Sequence, residues 1–306
     1  MQCLLRTYSF LSLFLLFTLH TRAEDGVDKS KDYTKSYPLS SGDRVSLHNQ
    51  FGKVDVHTWD KSEIKVDVHI KVSSSTESEV DYILDHIRID DSKDGAEVRF
   101  KTNLDLNDHG SGRHHKQTFS IDYTVYLPAT QTMKLENSFG AITLPDYAGA
   151  LEVTSKFGSL DAGRLGAVKS LDVEFGKANI ASVNGNDGTI LIKFSKADLS
   201  EVSGQIDADF EFCDVMNLQV ASAIKGLKIK NAYTTLHMKM ATGIPARFDI
   251  STNFGSLNNH SDYPIKADDD PAGKHRNMFR QTYSGKSGDG TVNVILHDEF
   301  ATVDIS

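Results

Sequence analysis

The chain has 306 residues, 39% of them hydrophobic, and carries 33 Lys and Arg against 42 Asp and Glu, a net charge of −9. An acidic surface with no basic run repels nucleic acid and anionic lipid, so neither is an expected partner. Two cysteines, Cys3 and Cys213, are too few for a disulfide framework.

Residues 1–23 read as a signal peptide. Arg6 precedes the apolar run Phe10 to Leu19, which is too short to span a bilayer, and Thr21-Arg22-Ala23 places small residues where a signal peptidase cuts. Cys3 lies ahead of the apolar run, where it cannot serve as a lipid anchor. The mature chain has no second apolar stretch long enough to cross a membrane, and residues 24–32 read as a flexible N-terminus.

Residues 33–130 read as a mixed, mainly β cap with a first repeat. Val45, Leu47, Asn49, Phe51, Gly52, Val54 and Val56 align one for one with Met133, Leu135, Asn137, Phe139, Gly140, Ile142 and Leu144. Ile64 to Val72 alternate as a strand, and Val80, Ile83, Leu84 and Ile87 have the spacing of one short amphipathic helix. Val98 with Phe100, then Phe119 to Leu127, read as further strands ended by Pro128. Between them, His109, His114 and His115 sit with Asp105 in a Gly and Ser loop; a solvated hairpin accounts for them better than a metal site.

From 131 to 265 an aromatic residue returns every 18 to 21 residues, at Phe139, Phe157, Phe175, Phe194, Phe212, Tyr233 and Phe254, with Gly next at Gly140, Gly158, Gly176 and Gly255. A period in this range is the signature of a solenoid. Around each aromatic the apolar residues alternate, the mark of strands, and the alternation slips by one just after it. Strands recurring in one direction pair in parallel with their copies, which makes the expected fold all-β: a parallel β-helix, or β-solenoid. In this reading the seven aromatics form a structural ladder pointing inward, Gly beside each supplies the bend, and Gly149, Gly166, Gly204, Gly226 and Gly243 mark a second turn. Asn49, Asn137 and Asn231 recur two residues before their aromatic, as a hydrogen-bonded ladder would. Cys213, beside Phe212, reads as a packed small residue.

Residues 266–290 read as a polar loop, in which Asp268, Asp269, Asp270 and His275 match no calcium-loop spacing. Asn259-His260-Ser261 fits a glycosylation sequon, a weak signal. Val292, Val294 and Leu296, then Phe300, Val303 and Ile305, suggest that 291–306 are strands capping the Phe254 repeat.

The aligned repeats, with Thr58-Trp59-Asp60 and Tyr123 to Pro128, resemble the DUF4097 family of adhesin-like β-strand repeat proteins over Val45 to the C-terminus. The resemblance implies an exported bacterial protein, common in Bacteroidetes, with a right-handed parallel β-helix; it brings no catalytic residues.

The function expected is a non-enzymatic binding or scaffold module of the cell envelope, periplasmic or at the cell surface. It would be monomeric, need no cofactor or metal, and bind a glycan or protein ligand. Two alternatives remain open. One is a carbohydrate-active β-helix, a hydrolase or lyase drawing on outward carboxylates such as Asp161, Asp172, Glu174, Asp198, Asp207 and Asp209. The other is a polymer-forming solenoid of the bactofilin kind. No nucleophile elbow, phosphate loop or metal-spaced Cys pair is present in the sequence.

Overall fold

A computed structural model describes residues 26–106, 117–268 and 279–306. The segment 1–23 expected to be a signal peptide, His109, His114 and His115, and Asp269, Asp270 and His275 lie outside the described residues. The described chain is nearly all β, with one helix and a single sheet of 21 strands.

Two strand ladders share the chain, and each repeat contributes to both. In the first, Arg44–Gln50 lies parallel on Thr132–Ser138, followed by Tyr147–Lys156 and then the second halves of Ser159–Glu174, Lys177–Lys193, Lys196–Glu211 and Val215–Ala232. The second ladder runs from Val54–Thr58 through Ala141–Leu144 and the first halves of the same long strands to Thr235–Met240. The register matches the sequence alignment: Val45 pairs with Met133, Leu47 with Leu135, Asn49 with Asn137 and Val54 with Ile142. A one-residue slip would turn the whole apolar set outward. Leu135, Val153, Leu171, Ile190, Ala208 and Ile229 accordingly line one buried column of the core.

At the N-terminal end each ladder gains one more parallel strand, which in turn carries an antiparallel one. Glu97–Leu104 pairs with Arg44–Gln50 and carries Ile87–Asp94; Thr118–Leu127 pairs with Val54–Thr58 and carries Glu63–Ser74. The helix Glu77–His86 is capped by Thr76, whose hydroxyl accepts from the Glu79 N–H, and buries Val80 and Ile83. Residues 27–32 are not flexible as expected, because Val27–Pro38 is one long strand antiparallel to Glu63–Ser74. Its sequence is polar because it is an edge strand with most residues exposed, and the Lys29 ammonium meets Glu77 and Asp81 at 2.7 and 2.6 Å. Such a strand has little apolar period to read.

Two further corrections concern the C-terminal end. Val292–Glu299 is an interior strand, parallel to Val215–Ala232 on one side and to Ala246–Asn253 on the other. Thr302–Ile305 likewise lies between Thr235–Met240 and Ser256–Asn259. The tail therefore separates two repeats that follow each other in sequence, rather than capping the second. Val294, Leu296, Val303 and Ile305 are fully buried, which a strand covered on both edges and one face explains. The outer cover comes from the segment expected to be a loop, in which Arg280–Lys286 pairs antiparallel with Ala246–Asn253 and holds Lys266–Ala267.

Candidate functional site

The corner between the two ladders carries the aromatic residues, and it faces solvent. Phe139, Phe157, Phe175, Phe194, Phe212, Tyr233 and Phe254 are each about half exposed, from 46% to 51%. The inward ladder inferred from alternation is thus overturned. Burial on that phase stops two residues earlier, at Asn137, Ser155, Val173, Ile192, Phe210 and Asn231. Each aromatic takes a left-handed backbone, with φ between 50° and 60° along the seven and 62° at Phe51, and the turn swings its side chain out of the core.

A left-handed non-glycine residue costs about 1–2 kcal/mol. Stacking offsets that cost. Ring centroids from Phe51 through Phe139, Phe157, Phe175, Phe194 and Phe212 to Tyr233 are 4.7 to 5.0 Å apart with planes within 5° of parallel. Beyond Tyr233 the row continues through Phe300, which the inserted tail supplies, then Phe254 and Phe279. Each favourable ring pair adds about 0.5–1.5 kcal/mol. Phe51 was legible through the alignment of Val45 to Val56 with Met133 to Leu144, whereas Phe300, with Asp298 in place of Asn and Ala301 in place of Gly, was not. At the strand spacing of about 4.8 Å, the ten rings form a stripe roughly 43 Å long. Within it each ring's faces lie against its neighbours, so the edges meet solvent.

The glycine after the aromatic has a different task from the one expected. The aromatic itself holds the left-handed angle, while a Cβ on Gly140, Gly158 or Gly176 would fall 1.9 to 2.1 Å from the carbonyl oxygen of the glycine one repeat away. Where Gly gives way to Ser195, Cys213 and Thr234, the side chains are buried and bonded. The Gly176 N–H donates to Ser195 Oγ at 3.0 Å and the Cys213 N–H to Thr234 Oγ1 at 2.9 Å. Burial pushes the Cys213 thiol up, consistent with a packing role. Of the second glycine set, Gly204 and Gly243 do hold positive φ, whereas Gly149, Gly166 and Gly226 lie within strands.

The asparagine column is hydrogen-bonded. Asn49 Nδ2 donates to Asn137 Oδ1 at 3.2 Å, and Asn231 Nδ2 donates to Asp298 Oδ1 at 2.7 Å and to Thr234 O at 2.9 Å. Asp298 is a carboxylate in this amide column, 1% exposed, with Oδ2 unpartnered; burial, then the nearby Glu299 charge, pushes it up to about 6.

Flanking the aromatics, in strand register, run Gln50, Ser138, Lys156, Glu174, Lys193, Glu211, Ala232 and Glu299. Lys156 and Glu174 pair at 3.2 Å, Lys193 and Glu211 at 2.9 Å. On the other side, near the C-terminal end, an open groove of about 770 Å³ runs between the rings of Tyr233, Phe300 and Phe254 and a floor of Cys213, Thr234 and Gly255.

The carboxylates weighed for glycoside chemistry are spread over open faces. Asp161 accepts from Asn179 at 2.8 Å, in register with Asp198 one strand further on. Asp207 meets Lys228 at 3.3 Å. Asp172 and Asp209 are both raised by burial first and then by Glu174 and Glu211 respectively, and Leu191 stands between them in register. Asn259 shapes a turn, accepting from Ser261 and donating to Tyr263 O at 2.9 Å. Trp59 donates from Nε1 to Glu63 O at 2.9 Å. Asp268 accepts from Ser284 at 2.5 Å. Among the described residues, no group of three or more His, Cys, Asp or Glu could hold a metal ion, and no helix is long and apolar enough to cross a membrane.

No protein-family model matches the chain, and neither does any curated protein. Among solved structures it is similar to a putative adhesin from Parabacteroides distasonis (TM-score 0.36, 7% identity, covering 90% of this chain and 97% of that one). It is also similar to a putative cell adhesion protein from Clostridium sporogenes (0.28, 10%, 90% and 99%) and a putative lipid binding protein from Parabacteroides distasonis (0.30, 9%, 90% and 96%). Likenesses at this level decide neither fold nor activity.

Proposed function

We propose that the chain is an exported, non-enzymatic binding module of the cell envelope, a β-solenoid whose working surface is the exposed aromatic stripe. The observation that carries this reading is a straight row of half-exposed rings, because a contiguous apolar patch of several hundred Å² on a soluble protein marks an interaction site. The continuous parallel registers support the solenoid, and the resemblance to DUF4097 proteins supports export. The enzyme alternative is weaker, since its candidate carboxylates lie on open strand faces where little excludes water.

The ring-edge presentation shapes the ligand. Sugar stacking uses ring faces, which the neighbouring rings already cover, so the stripe suits a protein or another extended partner with an apolar flank. The test is an array of envelope proteins, lipids and glycans probed with the mature protein and with Phe157→Asn/Phe175→Asn/Phe194→Asn, run beside a polysaccharide-degradation assay. Asn tolerates the left-handed angle, so the substitution removes rings while keeping the corner. Binding lost in the variant is the expected result. Equal binding by both proteins, or turnover of a polysaccharide, would sink the reading.

A further inference from the structure

We infer that the aromatic stripe docks against the stripe of a second copy of this chain, in an antiparallel pair whose twofold axis falls between two rings, as between Phe175 and Phe194. The inference rests on the reading of the stripe as the working surface, and it commits that surface to one occupant. It also replaces the expectation of a monomer.

The charges beside the rings choose the occupant. Lys156, Glu174, Lys193 and Glu211 are successive members of one strand-register column, each partly exposed. A sequence of alternating sign and even length is complementary to its own reverse. A twofold axis perpendicular to the stripe and parallel to the strand direction keeps this column facing its own copy. Centred between Glu174 and Lys193, it sets Glu174 opposite the other copy's Lys193 and Lys156 opposite the other copy's Glu211. The same register sets Ser138 opposite Ala232 and Gln50 opposite Glu299, so no like charges meet along the column. Moving the axis to Phe194 would oppose Lys193 to itself and Glu174 to Glu211, which like-charge repulsion disfavours. An axis between Phe194 and Phe212 satisfies the same rule, setting Lys193 opposite Glu211 and Lys156 opposite Glu299, so the charge pattern selects the antiparallel orientation and an axis that falls between rings.

Area and shape agree. With the axis between Phe175 and Phe194 the eight rings from Phe51 to Phe300 overlap their copies, while Phe254 and Phe279 overhang. Half-exposed rings of this size contribute roughly 100 Å² each, so the rings alone supply about 800 Å² per partner, the share found in stable interfaces. The competing occupants fit less well. A bilayer would have to dehydrate the Lys and Glu column beside the rings, and a net charge of −9 opposes an anionic leaflet. A glycan would meet ring edges rather than faces.

Analytical ultracentrifugation of the mature wild type over about 1 to 100 μM should show a monomer–dimer equilibrium within that range. Phe157→Asn/Phe175→Asn/Phe194→Asn should weaken it at least tenfold. Two further variants test the charge pairing: Lys156→Glu/Lys193→Glu makes these four positions all acidic, and Glu174→Lys/Glu211→Lys makes them all basic. Each alone should stay monomeric, and an equimolar mixture should form the heterodimer. Melts followed by circular dichroism check that each variant is folded, and any variant that is not is replaced by its single substitutions. A wild type that stays monomeric throughout, a triple Asn variant that dimerises as tightly, or charge variants that self-associate as well as they pair would overturn the inference. A dimer that binds nothing on the envelope array would sink the ligand-binding reading and leave this one standing; ladder-dependent binding by a strict monomer would do the reverse.

Discussion

At Phe175 and Gly176 two adjacent residues divide the work of one corner. The phenylalanine supplies the left-handed angle and the stacked ring; the glycine supplies the absence of a Cβ where the preceding repeat's carbonyl comes close. Their substitutions should rank opposite to what side-chain size suggests. Phe175→Asn loses two half-exposed stacking contacts and should cost about 1–2 kcal/mol. Gly176→Ala forces a methyl to within 2.1 Å of Gly158 O and should cost more, about 3 kcal/mol or above, because backbone has to move. Urea melts of the two variants decide the order. A second prediction concerns Asp298. Its folded value of about 6 lies above the ordinary 3.8, so the native state holds a proton that the unfolded chain releases between those values. That contribution is fully present below about 4 and is lost as the pH rises through about 6. At pH 7, Asp298→Asn should therefore stabilise the protein by about 1–2 kcal/mol, with the gain shrinking toward pH 4.5. Paired thermal melts over that range would show it, and a variant less stable than wild type at pH 7 would mean that the carboxylate has a partner the amide cannot replace.

The strands show where sequence is and is not a sufficient guide. Period and register were readable because Val45, Leu47 and Asn49 repeat the residue types of Met133, Leu135 and Asn137 at the same spacing, and a buried face fixes register strongly. The phase at each aromatic was not readable by alternation, since period-two counting assumes extended backbone and the left-handed residue breaks that assumption. A large apolar ring followed by glycine looks like core; only the backbone angle shows that it is a corner. The interior place of Val292–Glu299 was hidden for another reason. Alternating Val and Leu fit an end strand and a middle strand equally well, and nothing local tells which two neighbours a strand will have. Hydrogen exchange tests the observed placement. In Leu296→Ala, which should cost about 2–5 kcal/mol, amides of Val215–Ala232 and of Ala246–Asn253 should lose protection together. Loss confined to Ala246–Asn253 would restore the end-cap reading.

For the molecule as a whole, further strands lie over the ends of the ladders: Glu97–Leu104 and Thr118–Leu127 join in parallel at one end and each carries an antiparallel strand, while Arg280–Lys286 lies antiparallel on Ala246–Asn253 at the other. That covering blunts the exposed edges through which stacked strands otherwise assemble end to end. It argues against open polymers and leaves the long side, where the rings lie, as the surface available for assembly. Light scattering at rising concentration should accordingly plateau at a small oligomer; continued growth in mass would mean that an end remains competent to pair.

The threading of the tail also sets a timetable. A polypeptide emerges from the ribosome in order, and the strands as far as Met240 can be laid down one upon another as they appear. The next one cannot. Ala246–Asn253 has no seat against Val215–Ala232, because that seat belongs to Val292–Glu299, some forty residues still to come. Until the final segment arrives, Ala246–Asn253 and Ser256–Asn259 have no seat on the ladders, a window in which proteases or chaperones have access. A chain halted before residue 292 should be cut by protease beyond Met240 yet stay resistant before it, and release of the last stretch should close that window in one step.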